Sequence, residues 1–277
     1  MSTGQQVIKV LAIIFAIFII VNVVGGVIFG ISLFAEITMI GEQRTDKITT
    51  KEFSQIYENK VDTIKVETAV SKLTIQKGTR LKVEGSNLPS KFTSKVSGTT
   101  LTVKEEGNKK WLNENVTSEI IITIPEGKTL TKLEIDSGVG TNHIQDLTVE
   151  TLDLDCGVGT MQINNVTVLS KTKINGGAGR TVVEDCEFEK LDLDSGVGEM
   201  VISADLTGNS KIDSGVGRLS LNLLRSEKDY TIKTQSGLGR MTLNGKKCTD
   251  NGIYGSGNEE IKIDGGVGVI EITTLEN

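Results

Sequence analysis

Proline is nearly absent, with two residues in a chain of 277, and histidine occurs once, at His143. Phe, Trp and Tyr together make up 4% of the residues, and there are three cysteines. Each shortage excludes something. So few aromatics leave little to fill a thick globular core, and suit thin, repetitive β structure built from Val, Ile, Leu, Thr and Gly. One histidine offers no His pair for a metal and a single candidate for a nucleophilic triad. Cys156, Cys186 and Cys248 are too few and too scattered for a disulfide framework or a zinc site. Cys156 falls where sister repeats carry Ser or Gly, so it reads as a small packing residue. The net charge of -6 argues against nucleic acid as a partner, because a phosphate-binding surface needs clustered Lys and Arg. Neither the G-x-G-x-x-G fingerprint nor the full G-x-x-x-x-G-K-[ST] phosphate loop is present, and no cofactor is expected.

Glycine is abundant, and its placement is periodic. A G-x-G doublet recurs at Gly138/Gly140, Gly157/Gly159, Gly177/Gly179, Gly196/Gly198, Gly215/Gly217, Gly237/Gly239 and Gly266/Gly268. The first five are 19, 20, 19 and 19 residues apart, and the later gaps widen to 22 and 29. A fixed period near twenty is the mark of stacked repeats, each burying its apolar face only against its neighbours. Five and three residues before the doublet come apolar pairs such as Leu133/Ile135, Leu152/Leu154 and Leu191/Leu193. Four and six residues after the first glycine the apolar positions return, as Met161/Ile163, Met200/Ile202 and Leu219/Leu221. The residue between the glycines is always apolar (Val, Ala or Leu) and is expected inside with the preceding pair.

The inward parity therefore shifts across each doublet. A period-2 pattern changes phase only where the chain turns or bulges, and glycine tolerates the backbone angles required. The doublets read as structural corners, and polar bends such as Asn164-Asn165 and Glu184-Asp185 as further ones. The expected fold is all-β: a single-stranded parallel β-solenoid, or β-helix, of about 19–20 residues per rung over residues 131–277. Residues 60–130 alternate less regularly and read as early rungs or a β cap. The wider late repeats and the Leu275-Glu-Asn277 tail are expected to close the other end.

From Val10 to Ala35 the chain is almost uninterrupted apolar sequence, broken only by Asn22 and Ser32. A helix of that length runs to roughly 39 Å and can span a ~30 Å hydrocarbon core with tilt. This is too long for a secretory signal and reads as one uncleaved transmembrane helix. Lys9 precedes it and Glu36 and Glu42 follow, which favours a cytoplasmic tail over residues 1–9 and an extracytoplasmic C-terminal domain at the cell membrane. Residues 36–59 read as a linker. Gly26 and Gly30 form a GxxxG match that would bring two helices together as a homodimer, although glycine is also simply common in membrane helices.

Two residues before each doublet runs a polar column that includes Asp136, Asp155, Asp194, Asp213 and Asp264. Stacked at the rung spacing of about 4.8 Å it could offer oxygen ligands to a divalent cation such as Ca²⁺. Asx side chains at turns also bond to nearby backbone, and Arg180, Arg218 and Arg240 just beyond the doublets can offset the charge, so structural capping is the preferred reading. His143 occupies a variable outward column and reads as solvated. Paired carboxylates for glycoside chemistry would be accompanied by aromatic platforms and a long inserted loop, and these are not evident.

The order of "IKVETAVSKLTIQKGTRLKVEG", "GTTLTVKEE", "IIITIPEGKTLTKLEIDSGVG" and the repeated "LDLDCGVGTMQI" and "LDLDSGVGEMVI" units resembles the bacterial putative-adhesin family of β-strand-repeat proteins. That family is a domain of unknown function, similar to domains of Lia-type envelope-stress proteins, and the likeness covers roughly residues 55–275. It implies an envelope location and a non-enzymatic role, with no catalytic residues to carry over. Many members are similar with G-S-G-D turns; here G-V-G is followed by Thr, Glu or Arg, which weakens a metal reading further. The expectation is a membrane-anchored binding, scaffolding or adhesin-like envelope-stress module. Its partners would be membrane lipid through the helix and an envelope protein or polysaccharide. A self-assembling filament is the alternative, and a carbohydrate-active β-helix enzyme the remotest.

Overall fold

The computed structural model describes residues 50–58, 60–106 and 117–275. The apolar span at 10–35, with Gly26 and Gly30 and its flanking charges, lies outside the described residues. Among the described residues no helix is long and apolar enough to cross a membrane.

What is described is all-β, interrupted by one 3-10 turn. The chain runs through β1 (Lys51–Ile56), β2 (Thr63–Gly78), β3 (Lys82–Leu88), β4 (Thr93–Ser97), β5 (Thr100–Lys104) and β6 (Ser118–Pro125). The long β7 (Thr129–Asn175) follows, then β8 (Ala178–Glu189), β9 (Leu191–Asp194), β10 (Val197–Thr207), β11 (Ser210–Asp213) and β12 (Val216–Ser226). After the turn at Glu227–Asp229 come β13 (Tyr230–Gln235), β14 (Leu238–Leu243), β15 (Lys246–Lys247), β16 (Gly252–Gly255), β17 (Glu259–Asp264) and β18 (Val267–Leu275). The stretch read as a linker from sequence contributes β1, which pairs antiparallel with β3.

The interior of the stack is parallel and in register, doublet on doublet. Val139 lies on Val70, Ala178 on Val158, Val197 on Ala178 and Val216 on Val197. Inward positions form continuous apolar columns. Leu133, Ile135, Leu152, Leu154, Leu191 and Leu193 are buried before the corners, and Met161, Ile163, Met200, Ile202, Leu219 and Leu221 after them. The second corner of successive rungs is made by left-handed Asx residues, Asp146 (φ 58), Asn165 (φ 52) and Asp185 (φ 54). Asn and Asp are the side chains that best tolerate that region. Asn165 also donates from Nδ2 to Asp146 Oδ1 of the rung below at 2.7 Å.

Both ends depart from a parallel stack. At the first, β5 and β6 lie parallel on β2, and β4, β3 and β1 are added antiparallel. The β2 corner, Thr68-Ala69-Val70-Ser71, has no glycine; β5 lies on β2 before it and β6 after it. Glu105 sits over this corner: its Oε2 accepts from Ala69 N at 2.7 Å and Val70 N at 3.1 Å, and its Oε1 accepts from the Ser118 hydroxyl. A buried carboxylate thus takes the amide protons that a further rung would take elsewhere.

At the other end the rungs leave chain order. The wide late repeats do lie at this end, but not in the order of the chain, and residues 276–277 of the tail lie outside the described residues. β18 lies between β12 and β14, with Val267 on Val216 and Leu238 on Val267. β17 lies between β11 and β13 in the same way. The cause is local. Asn244 (φ 48) and Gly245 (φ 77) close a two-residue hairpin that folds β15 back antiparallel on β14, and β16 covers β13. Asn-Gly is the strongest short-range signal for such a turn. With hairpin strands on the outer edge of the 230–243 rung, the 259–275 repeat takes the inner one.

Candidate functional site

Each doublet corner begins at a glycine with no room for a side chain. A Cβ on Gly157 would run into the carbonyl oxygens of Ser137 and Gly138 beneath it, and one on Gly215 into that of Gly196. The second glycine is constrained twice. Gly140, Gly159, Gly179, Gly198, Gly217, Gly268 and Gly239 have φ between 133° and 152°, and a Cβ on each would strike the carbonyl below. Such a ladder admits only glycine, because both the angle and the space forbid anything else.

The parity shift consequently falls at the first glycine, not the second. The preceding residue is still inward at Ser137 and Cys156, whereas the residue between the glycines points out. This corrects the expectation that it is buried. Val139 is 42% exposed, Val158 55%, Val197 53% and Leu238 43%, and these are four of the nine large apolar residues exposed in the described structure. In register they share one column with exposed Ala178 and the half-buried Val70, Val216 and Val267: Val70–Val139–Val158–Ala178–Val197–Val216–Val267–Leu238. Eight rungs at about 4.8 Å make a ridge roughly 34 Å long. Contiguous exposed apolar surface of this regularity marks an interaction site more readily than scattered side chains do.

The ridge has unlike flanks. Before it runs the acidic column Glu67–Asp136–Asp155–Asn175–Asp194–Asp213–Asp264–Gln235. After it runs Lys72–Thr141–Thr160–Arg180–Glu199–Arg218–Val269–Arg240. Four of the six carboxylates in this column are engaged locally. Asp194 Oδ1 accepts from Gly196 N at 2.9 Å, Asp264 meets Lys262 at 2.9 Å, and Asp213 pairs with Lys211. Glu67 and Glu134 sit in a chain of ion pairs from Lys104 through Lys65 to Lys132 and Asp153. The Lys104 ammonium bonded to Glu67 holds that carboxyl below its ordinary value, and Lys132 does the same to Glu134. On the other flank Arg180 meets Glu199 at 2.9 Å, and Arg218 and Arg240 both reach Glu271.

Among the described residues, no group of three or more His, Cys, Asp or Glu side chains is arranged to hold a metal ion. His143 lies half-buried on the outer side of its strand, with Thr74 beside it in register. All three cysteines are buried and unpaired. Burial, followed by the nearby Asp155, pushes the Cys156 thiol up to about 12, and burial pushes Cys186 up to about 11. Neither supplies a thiolate near neutral pH. The sequence signal for the ridge was available in the uniformly aliphatic Val/Ala/Leu column; only the crowding at the first glycine reveals which way it faces.

No curated protein matches the chain. Solved structures similar to it include a putative cell adhesion protein from Clostridium sporogenes, at 20% identity and a TM-score of 0.42, covering 82% of this chain and 100% of that one. Another is a putative adhesin from Bacteroides fragilis, at 17% identity and 0.48, with 82% and 99% covered. A putative adhesin from Parabacteroides merdae is similar at 11% and 0.28, with 83% and 98% covered. The family model described as Toastrack DUF4097 matches residues 61–262, most of the chain and every doublet but the last, and the chain belongs to that family.

Proposed function

We propose that this protein is a membrane-anchored, extracytoplasmic β-solenoid that works by binding along its length, as an adhesin-like scaffold or envelope-stress module without catalysis. The observation that carries the reading is the exposed corner ridge, held in register over eight rungs between an acidic and a mixed, arginine-bearing flank. Catalysis draws on acids and bases gathered in a recess around one reacting centre. Here the outward carboxylates are strung along the stack, and those of Asp194, Asp213 and Asp264 are engaged with lysines or backbone. The apolar stretch Val10–Ala35 supports the anchor, and Lys9 before it with Glu36 and Glu42 after it supports an exported domain. Membrane lipid through that helix, and an envelope protein or polysaccharide, are the partners this reading calls for. Antiparallel strands at both ends of the stack oppose the alternative of parallel end-to-end filaments.

The test is protease access in intact bacterial cells producing the full chain with a C-terminal epitope. External protease is expected to remove the epitope while a cytoplasmic marker survives, and the epitope-bearing fraction should sediment with membranes. Protection of the epitope in intact cells, or its recovery in the soluble fraction, would overturn the location and with it the envelope role.

A further inference from the structure

We infer that the corner ridge is a self-association surface, and that two copies meet along it side by side with their stacks running in the same direction. The first argument is commensurability. The ridge presents one aliphatic side chain about every 4.8 Å. An extended peptide presents same-side residues about every 6.7 Å. A helix face repeats about every 5.4 Å. Either would fall out of step with the ridge within a few contacts. A second stack of rungs has the same step and stays in register from end to end, so a second copy of this chain is the fitting occupant.

The second argument is charge, and it selects the orientation. A two-fold axis parallel to the ridge sets the acidic flank of one copy against the arginine-bearing flank of the other, rung facing its own mate. Glu67 then faces Lys72, Asp213 faces Arg218, and the amides of Asn175 and Gln235 face Arg180 and Arg240. One like-charge pair results, Asp194 against Glu199. The opposite orientation sets acidic flank on acidic flank, with Asp136 against Asp264 and Asp155 against Asp213, and only the Lys262 and Lys211 partners of Asp264 and Asp213 offset them. Like charges held opposite one another cost affinity and act as negative selection for register. The parallel arrangement places equivalent ends of the two copies together, as anchorage of both in one membrane would also require.

Cysteine trapping distinguishes the outcomes, because the native cysteines are buried. The full chain in detergent micelles is used, so the result does not depend on cellular location. About a parallel axis, every ridge position meets its own mate. Val158→Cys and Val216→Cys should each give a disulfide-linked dimer under mild oxidant, at least tenfold above the exposed control Ile253→Cys. A mixture of the two variants should give no mixed dimer. An antiparallel pair would give the reverse, the mixed dimer alone, and would overturn the orientation. Background-level crosslinking in each variant and in their mixture would overturn the surface, even if the protein sedimented as a dimer through its N-terminal helix. Val158→Asp combined with Val197→Asp should weaken any ridge-dependent association at least tenfold with the β-sheet circular dichroism unchanged, since both side chains already point outward.

Discussion

At the scale of the residue, the corners separate two costs that glycine ordinarily hides together. Gly159 has φ 136°, and a Cβ there would collide with the backbone of Gly140 one rung below. Gly245 has φ 77° in the Asn-Gly hairpin, and a Cβ there would meet open space. Gly245→Ala is therefore charged for the backbone angle alone, about 1 kcal/mol. Gly159→Ala adds a contact that can relax only by prising two rungs apart, and its total is expected at about 3 kcal/mol or more. Urea unfolding midpoints of the two variants measure the difference. Equal losses would mean that the rungs yield at the corner and that the glycine ladder is a matter of angle only. Val158 between two such glycines is free of both constraints, and that freedom makes it available for contact with something outside the rung.

At the scale of the element, the 259–275 repeat is the instructive one. It is threaded between β12 and β14, paired on both edges. Its entry is also pinned by Glu259, whose Oε2 accepts from Gly208 N at 2.6 Å. Backbone amides paired on both sides in a stack exchange only when the stack opens, whereas edge strands fray. Hydrogen exchange should show Val267–Ile272 protected as well as Met200–Ile202, with Lys246–Lys247 and Gly252–Gly255 exchanging far sooner. Fast exchange at 267–272 would restore simple chain order, with that repeat as the frayed end. The corner spacing, the strand alternation and the buried columns were legible in the sequence because each depends on near neighbours in the chain. The threading was not, because it turns on which of two edges is free once the Asn244-Gly245 hairpin has formed, and all the doublet rungs share one register. The ridge was half legible: its aliphatic composition was plain, but its direction depends on the carbonyls of the rung beneath.

At the scale of the whole molecule, the charges and buried groups set both limits of its pH range. Glu67 and Glu134 are held below their ordinary 4.5 by lysine partners. Their contribution is complete above about 4.5, the value in the unfolded chain, and is lost as pH falls through the lower folded-state value. The alkaline limit has another origin. Cys156 and Cys186 ionise near 9 when unfolded but are pushed to about 12 and about 11 in the fold by burial. Above pH 9 the unfolded chain loses those protons first, so each further unit costs about 1.4 kcal/mol per thiol until the folded value is reached. Lysines 65, 104 and 132, raised above 10.5 by their carboxylates, begin to release their contribution only beyond that point. Stability should therefore be level from about pH 5 to 9 and fall on both sides, the alkaline limb steeper than ion pairs alone would make it. Denaturant titrations across pH 3–11 test this, with Cys186→Ala as the discriminating variant. In it the fall between pH 9 and 10 should be shallower than in the native chain, the remainder coming from Cys156 and from Cys248, which burial also raises. An unchanged slope would assign the alkaline limb to groups other than the thiols.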